Sequence, residues 1–369
     1  MIRLALRVAV LVMVALGSRP APADADPCTG NVSHVFTQPF PSSSAEVTRW
    51  SGAVCSVAKH GLVLGITRFR PSPAVASVKM LYDARVSEIY VYYHDGLAFL
   101  DIQHYSTGLL PLDTVDCPVA LGTRILGGRA CLEVRDRGLA YTTGDRSRRG
   151  EELVIWGVNR SANYKYVIEW RLRDDGVIVG RVGATGQNLA GHHDVPHVHL
   201  ITWRLDIDLG GASGDTVREI THVESSSDDT ARDTVRMLTV EGGRTWSAAG
   251  LRYWRINDST LQNAQGNPTG LRLLPSRSGT GRHVYPHTMS DVWVTRGGSG
   301  KGVQLAADAL PTYAADAQSI DGADIVLWYS TPIHHVPRDE DDDPLGATQV
   351  MWADVTLVPE NLFDASPLP

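Results

Sequence analysis

From residue 46 onward the chain is cut into short runs rich in β-branched and aromatic residues, and no stretch sustains a 3.6-residue apolar period over a long helix. Gly61-Leu-Val-Leu-Gly-Ile-Thr67, Ser87-Glu-Ile-Tyr-Val-Tyr92, Glu152-Leu-Val-Ile-Trp156 and Tyr166-Val-Ile-Glu-Trp-Arg-Leu172 each have the length and composition of a strand. Turn formers such as Asp175-Gly176 and Gly210-Gly211 separate such runs, which predicts antiparallel sheets. A domain size of about 150 residues would suggest two units, yet all-β sandwiches commonly run longer as one. We read residues 46–369 as one large domain. Residues 27–45, rich in Pro, Ser and Thr, read as a loosely ordered lead-in, and 223–235 and 277–282 as polar surface excursions. The acidic run Asp339-Glu-Asp-Asp-Asp343 reads most simply as a solvated turn.

The first 26 residues carry Arg3 and Arg7, an apolar core from Val8 to Leu16, and small residues around Ala21-Pro-Ala-Asp-Ala25. This is the pattern of a secretory signal peptide, well short of the roughly 20 apolar residues a membrane helix needs. The reading therefore expects a secreted or extracytoplasmic protein with no membrane partner. Four cysteines, Cys28, Cys55, Cys117 and Cys131, favour two disulfides in an exported chain. Three pairings are possible, of which spacing favours Cys117 with Cys131 and leaves Cys28 with Cys55. A net charge of -7 without a basic cluster argues against nucleic acid as partner.

The chemistry-bearing signal is His197-Val-His199 at the head of a run that alternates like a strand, so both imidazoles project from one face as a chelating pair. A third imidazole is available in His335-Val-Pro-Arg-Asp-Glu340-Asp341, and a phenol in Asn163-Tyr164-Lys165-Tyr166. Three neutral imidazoles leave open positions on Cu(II), and a phenol beside them points to redox chemistry. The bland reading is that a His-x-His pair is only hydrogen-bonded polar surface and Tyr164 a packed strand aromatic. His192, His193, His283 and His287 are rival ligands, and His334 should face away from His335.

These segments, in this order, resemble the copper amine oxidases. Asn163-Tyr164-Lys165-Tyr166 with Gly183-Ala-Thr-Gly186 is similar to the family's cofactor motif and the turn after it, and Ser87 to Tyr93 to the strand that ends in a cofactor-bonding tyrosine. Gly61-Leu-Val-Leu and Leu357 to Asp364 extend the resemblance over roughly residues 46–364. It implies a catalytic domain that is a large antiparallel two-sheet β-sandwich, with Cu(2+) on His197, His199 and His335, topaquinone made from Tyr164 beside Asn163, and Tyr93 orienting it. It further implies a homodimer that oxidises a primary amine with molecular oxygen to aldehyde, ammonia and hydrogen peroxide. Ala98-Phe-Leu-Asp101-Ile-Gln-His-Tyr105 resembles the segment that carries the general base, which makes Asp101 the candidate and Asp95 the fallback. Cys117 and Cys131 match the family's disulfide position.

Asp206, Ile207, Asp208, Asp324 and Ile325 look like the family's peripheral calcium site, with a plain polar strand face as the alternative. Lys165 departs from the family's acidic residue and would bring positive charge toward the cofactor. That departure leaves open an inactive secreted copper-binding relative, and a zinc hydrolase is a third reading.

Overall fold

The computed structural model describes residues 27–43, 45–275, 285–298, 301, 309–342 and 349–367. The expected signal peptide, the 277–282 excursion and His283 lie outside the described residues.

Strand pairing sorts the chain into two antiparallel sheets. One runs, edge to edge, through Val32–Phe40, Thr48–Val57, Gly61–Arg70, Val78–Tyr93, His197–Ile207, Ile325–His335, Val292–Arg296 and Gly242–Arg244, with Ala98–Leu100 added beside Val78–Tyr93. The other runs through Ala231–Leu238, Asp215–Glu224, Tyr253–Gln262, Pro268–Leu274, Met351–Glu360, Ile178–Gly186, Tyr164–Arg173, Arg146–Ser161, Ala130–Thr143 and Gly122–Ile125, with Ser106–Leu109 against Arg146–Ser161. All four runs read as strands fall inside these elements, and Asp175-Gly176 closes the hairpin between Tyr164–Arg173 and Ile178–Gly186. Among the described residues the α-helical content is the single turn-and-a-half Ala309–Ala314, and no helix is long and apolar enough to cross a membrane.

The sheets stack face to face because their strands are apolar on the inner face. Leu62, Leu64, Ile201 and Leu205 of the first sheet share one buried core with Ile168, Trp170, Val182 and Leu271 of the second. Each fully buried aliphatic side chain of this kind contributes roughly 1.5–3 kcal/mol. The expected two-sheet sandwich is thus the observed fold. Cys28–Cys55 and Cys117–Cys131 are the two disulfides, with Cα separations of 5.5 and 5.8 Å.

Two local expectations need correction, and a third gains detail. Val32–Phe40, within the supposed lead-in, is a strand in full register with Thr48–Val57, anchored by the buried Cys28 sulfur. Residues 223–235 are the expected polar surface excursion, built as the distal part of a β-hairpin, Asp215–Glu224 with Ala231–Leu238, whose side chains face water. The run at 339–342 is a 3₁₀ turn, and Asp341 within it is fully buried, not solvated.

Candidate metal centre

Adjacent strands of the first sheet set the site. In register, His197 lies beside His335 on one side and beside Tyr93 on the other, so three functional side chains from distant sequence share one rung. Directly opposed residues in antiparallel strands stand about 4.5–5.5 Å apart at Cβ, close enough for one ion to bridge their rings. His199 follows on the same face. From the opposite sheet, Tyr164 and Tyr166 project inward from the start of Tyr164–Arg173 and meet them across the core.

The hairpin turn before Tyr164 places it. Ala162 takes a left-handed φ of 46° to make the two-residue connection at Ala162-Asn163. Gly186, opposite Tyr164 in register, has φ 138°, and a Cβ there would lie 2.5 Å from the Asn163 carbonyl oxygen. Only glycine lets this strand close on the phenol-bearing one.

Hydrogen-bond partners assign the imidazole tautomers. His197 Nδ1 lies 3.1 Å from the Val195 carbonyl, which only accepts, so Nδ1 carries the proton and Nε2 the lone pair. His335 Nε2 donates to Asp341 Oδ2 at 3.0 Å, leaving Nδ1 bare. The Tyr166 hydroxyl donates to Asp101 Oδ2 at 2.5 Å, so its oxygen accepts from His199 Nδ1–H at 2.9 Å and leaves His199 Nε2 bare. That Nε2 is buried with no hydrogen-bond partner.

Three bare nitrogens therefore converge, one from each imidazole, with ligand atoms all within 4.8 Å of one another. The Tyr164 hydroxyl sits 2.9 Å from His197 Nε2 and 2.7 Å from His335 Nδ1, and those two nitrogens are 3.2 Å apart. One phenolic proton cannot satisfy three lone pairs, and protonating His197 or His199 is opposed. Burial pulls His197 down to about 4 and His199 well below its ordinary value, and the neighbouring imidazoles pull further. A pocket of convergent acceptors, with burial opposing protonation of His197 and His199, is suited to a metal cation, and neutral imidazoles to copper.

The family comparison decides the matter. Residues 138–368 match the model of the copper amine oxidase enzyme domain, which is more than half of the chain. The chain belongs to the copper amine oxidase family. Membership implies copper and topaquinone, and the three imidazoles with Tyr164 fit both. The "Amine oxidase [copper-containing] gamma 2" of Arabidopsis thaliana is 24% identical over 84% of this chain and 56% of its own length. The histamine oxidase of Arthrobacter globiformis is 26% identical over 66% of this chain and 42% of its own length. The chain thus spans about half the length of the curated relatives it matches. Among solved structures, the copper-containing benzylamine oxidase from Hansenula polymorpha superposes with a TM-score of 0.69 at 17% identity, covering 96% of this chain and 65% of that one. The Aspergillus nidulans amine oxidase gives 0.69 at 17%, covering 99% and 56%.

The other site expectations divide. Tyr93 stacks on His197, ring centroids 4.3 Å apart, and hydrogen-bonds the Asn163 side chain. Asp101 is buried beneath Tyr166, and burial pushes its carboxyl up to about 7 despite the hydrogen bond from Tyr166. Asp95 stays on an exposed turn, its carboxylate 2.8 Å from His192 Nδ1. His334 is exposed and stacks on His94. His287 is buried elsewhere, against Tyr90 and Tyr285. Alternation turns Lys165 to the face of its strand opposite Tyr164 and Tyr166, where it is half-buried, so its charge does not enter the pocket.

The same alternation puts Asp206 and Asp208 on the face opposite His197 and His199. There Arg204 pairs with Asp206 at 2.7 Å and with Asp83 at 2.6 Å, and Lys79 pairs with Asp208. Asp324 joins them around a cavity of about 180 Å³. Among the described residues the donor set at metal-binding separation is the imidazole trio, so calcium on Asp206, Ile207, Asp208, Asp324 and Ile325 gains no support.

Sequence reasoning gave no role to Tyr166 or Asp341. Two-residue spacing from Tyr164 on a strand was the available signal for Tyr166. Burial alone would raise the Asp341 carboxyl, but hydrogen bonds from Arg338 and His335 hold it low, so it remains a charged anchor for His335. Glu88, buried without exposure, is pushed up to about 8 by burial against the pull of three backbone N–H groups.

Proposed function

We propose that this chain is an exported copper- and topaquinone-dependent primary-amine oxidase, releasing aldehyde, ammonia and hydrogen peroxide. The observation that carries the proposal is the Tyr164 hydroxyl lodged against the bare nitrogens of His197 and His335 in a buried pocket. His197 and His199 through Nε2, and His335 through Nδ1, would hold the copper. Copper and the quinone made from Tyr164 supply the two-electron acceptor for the amine and its reoxidation by molecular oxygen.

The chain's own residues do the rest. Val195, Tyr166 and Asp341 each fix the far nitrogen of one imidazole, which orients the rings before any ligand arrives. Tyr93, hydrogen-bonded to the Asn163 side chain, would orient the ring at position 164. Asp101 takes the α-proton of the bound amine onto a carboxylate oxygen. Its pKa near 7 makes it a stronger base than an ordinary aspartate while leaving it ionised in a useful fraction at neutral pH. Residues 46–369 would form the catalytic domain, and two disulfides support export. A homodimer is part of the proposal, checked by light scattering.

The test is protein matured with copper in air. Reaction with phenylhydrazine and peroxide release from a primary-amine panel are expected, and Tyr164→Phe should abolish both. Copper bound stoichiometrically without a hydrazine-reactive chromophore would make the chain a copper-binding relative instead. Zinc retained with oxygen-independent hydrolysis would replace the oxidase reading altogether.

A further inference from the structure

Asp101 stands at the head of a single π-helical turn, Asp101–Tyr105. Five residues in this uncommon geometry do not hold themselves, because one turn fixes many dihedrals for very few hydrogen bonds. The first N–H groups of any such turn have no partner within it, and Leu100 before it supplies no side-chain cap. The partner comes from another strand. Glu88, on Val78–Tyr93, accepts Ile102 N–H on Oε1 at 2.7 Å and Gln103 N–H on Oε2 at 3.1 Å, while its own neighbour Ile89 N–H bonds Oε1 at 2.9 Å. The Asp101 carbonyl is held from the other side by the Ser161 hydroxyl at 3.0 Å.

A carboxyl group with no solvent exposure is costly to bury, and an apolar residue would serve the core better if packing were its only task. We propose that Glu88 is the positioning residue for Asp101: by gathering the Ile102 and Gln103 N–H groups, it sets the turn and thereby aims the carboxylate that accepts the substrate proton. This rests on the reading of Asp101 as proton acceptor. Glu88 itself touches neither substrate nor metal ligand. Its effect is transmitted through two peptide groups to the residue next to them.

The test uses the full chain matured with copper. Glu88→Gln should leave copper content and phenylhydrazine titre unchanged while lowering kcat by roughly 10- to 100-fold, the scale of a small misplacement of a reacting group. KM should move by less than about threefold, since substrate contacts persist. In copper-free protein the amides of Ile102 and Gln103 should exchange at least about tenfold faster, a readout independent of turnover. In an Asp101→Asn background the same substitution should add less than about twofold, because the two act as one unit.

A full additional loss in that background overturns the proposal, as does unchanged turnover in Glu88→Gln when Asp101→Asn is inactive. Loss of copper or of the hydrazine titre would make Glu88 a general structural residue and also overturns it. Glu88→Asp, which keeps the carboxyl group one methylene shorter, is the second variant. If neither accumulates as folded protein, the positioning role falls. Should Asp101→Asn retain full turnover, the proton-acceptor reading itself fails and takes this proposal with it, an outcome separable from the others.

Discussion

The strand His197–Ile207 builds two different polar regions, one on each face. On the inner face, His197 and His199 join His335 in presenting bare nitrogens to which no guanidinium or ammonium among the described residues hydrogen-bonds. On the opposite face, Asp206 and Asp208 meet Arg204 and Lys79, cations that the chain itself carries. The two regions are similarly buried, so burial does not distinguish them. What differs is whether the fold supplies the countercharge. A cluster with its own guanidinium and ammonium is partly neutralised, whereas acceptors that converge without one form the stronger site for an added cation.

Breaking the comparison at the inner face should have the largest effect. His199→Ala should abolish stoichiometric copper, measured by elemental analysis after dialysis, while Asp206→Asn leaves copper content unchanged. Equal copper loss in both would mean that the two faces do not differ as argued.

Turnover should follow the inner face too. With Asp101 raised to about 7, the proton-accepting form is the carboxylate, so kcat/KM should climb as pH rises through about 7 and level off above it. Asp101→Asn should lower kcat by about 10²–10⁴-fold and remove that limb from the pH profile.

A gentler probe leaves the ligands in place. Asp341→Asn keeps a side chain that can accept from His335 but removes the charge, and copper affinity should fall by about 10- to 100-fold in competition with a chelator.

The smallest effect sharpens the outer face. Asp215, near Asp258, Asp208, Asp324 and Asp206, is fully buried with neither oxygen partnered, and burial followed by those charges pushes it up to about 9. The folded state then keeps a proton that the unfolded chain releases above 3.8, so stability from this group is complete below pH 3.8 and is lost as pH rises through about 9. In chelator-treated protein Asp215→Asn should therefore stabilise, by an amount growing across that range to on the order of 1–3 kcal/mol. Urea denaturation at several pH values reads the sign, and a destabilised variant would mean that this face also wants a cation.

Much of this was legible in the chain. Turn residues and β-branched runs predicted the strands because both are local properties: hairpin geometry is set by Asp175-Gly176, and side-chain direction by alternation. Alternation also placed His197 with His199, and correctly turned His334 away from His335. Where the reading failed, the cause was partnering at a distance. Val32–Phe40 looks like a loose leader until Thr48–Val57 pairs with it, and Lys165 looks close to Tyr164 in sequence although the strand points it elsewhere. Glu88 and Asp101, 13 positions apart (101 − 88), give no local sign that one anchors the other's turn.

By itself the sequence determined the kinds of donor available and the faces they share within a strand, since both follow from covalent geometry over a few residues. Only the tertiary structure decided that His197 and His335, 138 residues apart, lie side by side, and that Tyr164 crosses from the other sheet to meet them. It also decided which nitrogen of each ring is bare, because a tautomer is fixed by the partner on its far side, and Val195, Asp341 and Tyr166 become those partners only once the sheets have closed.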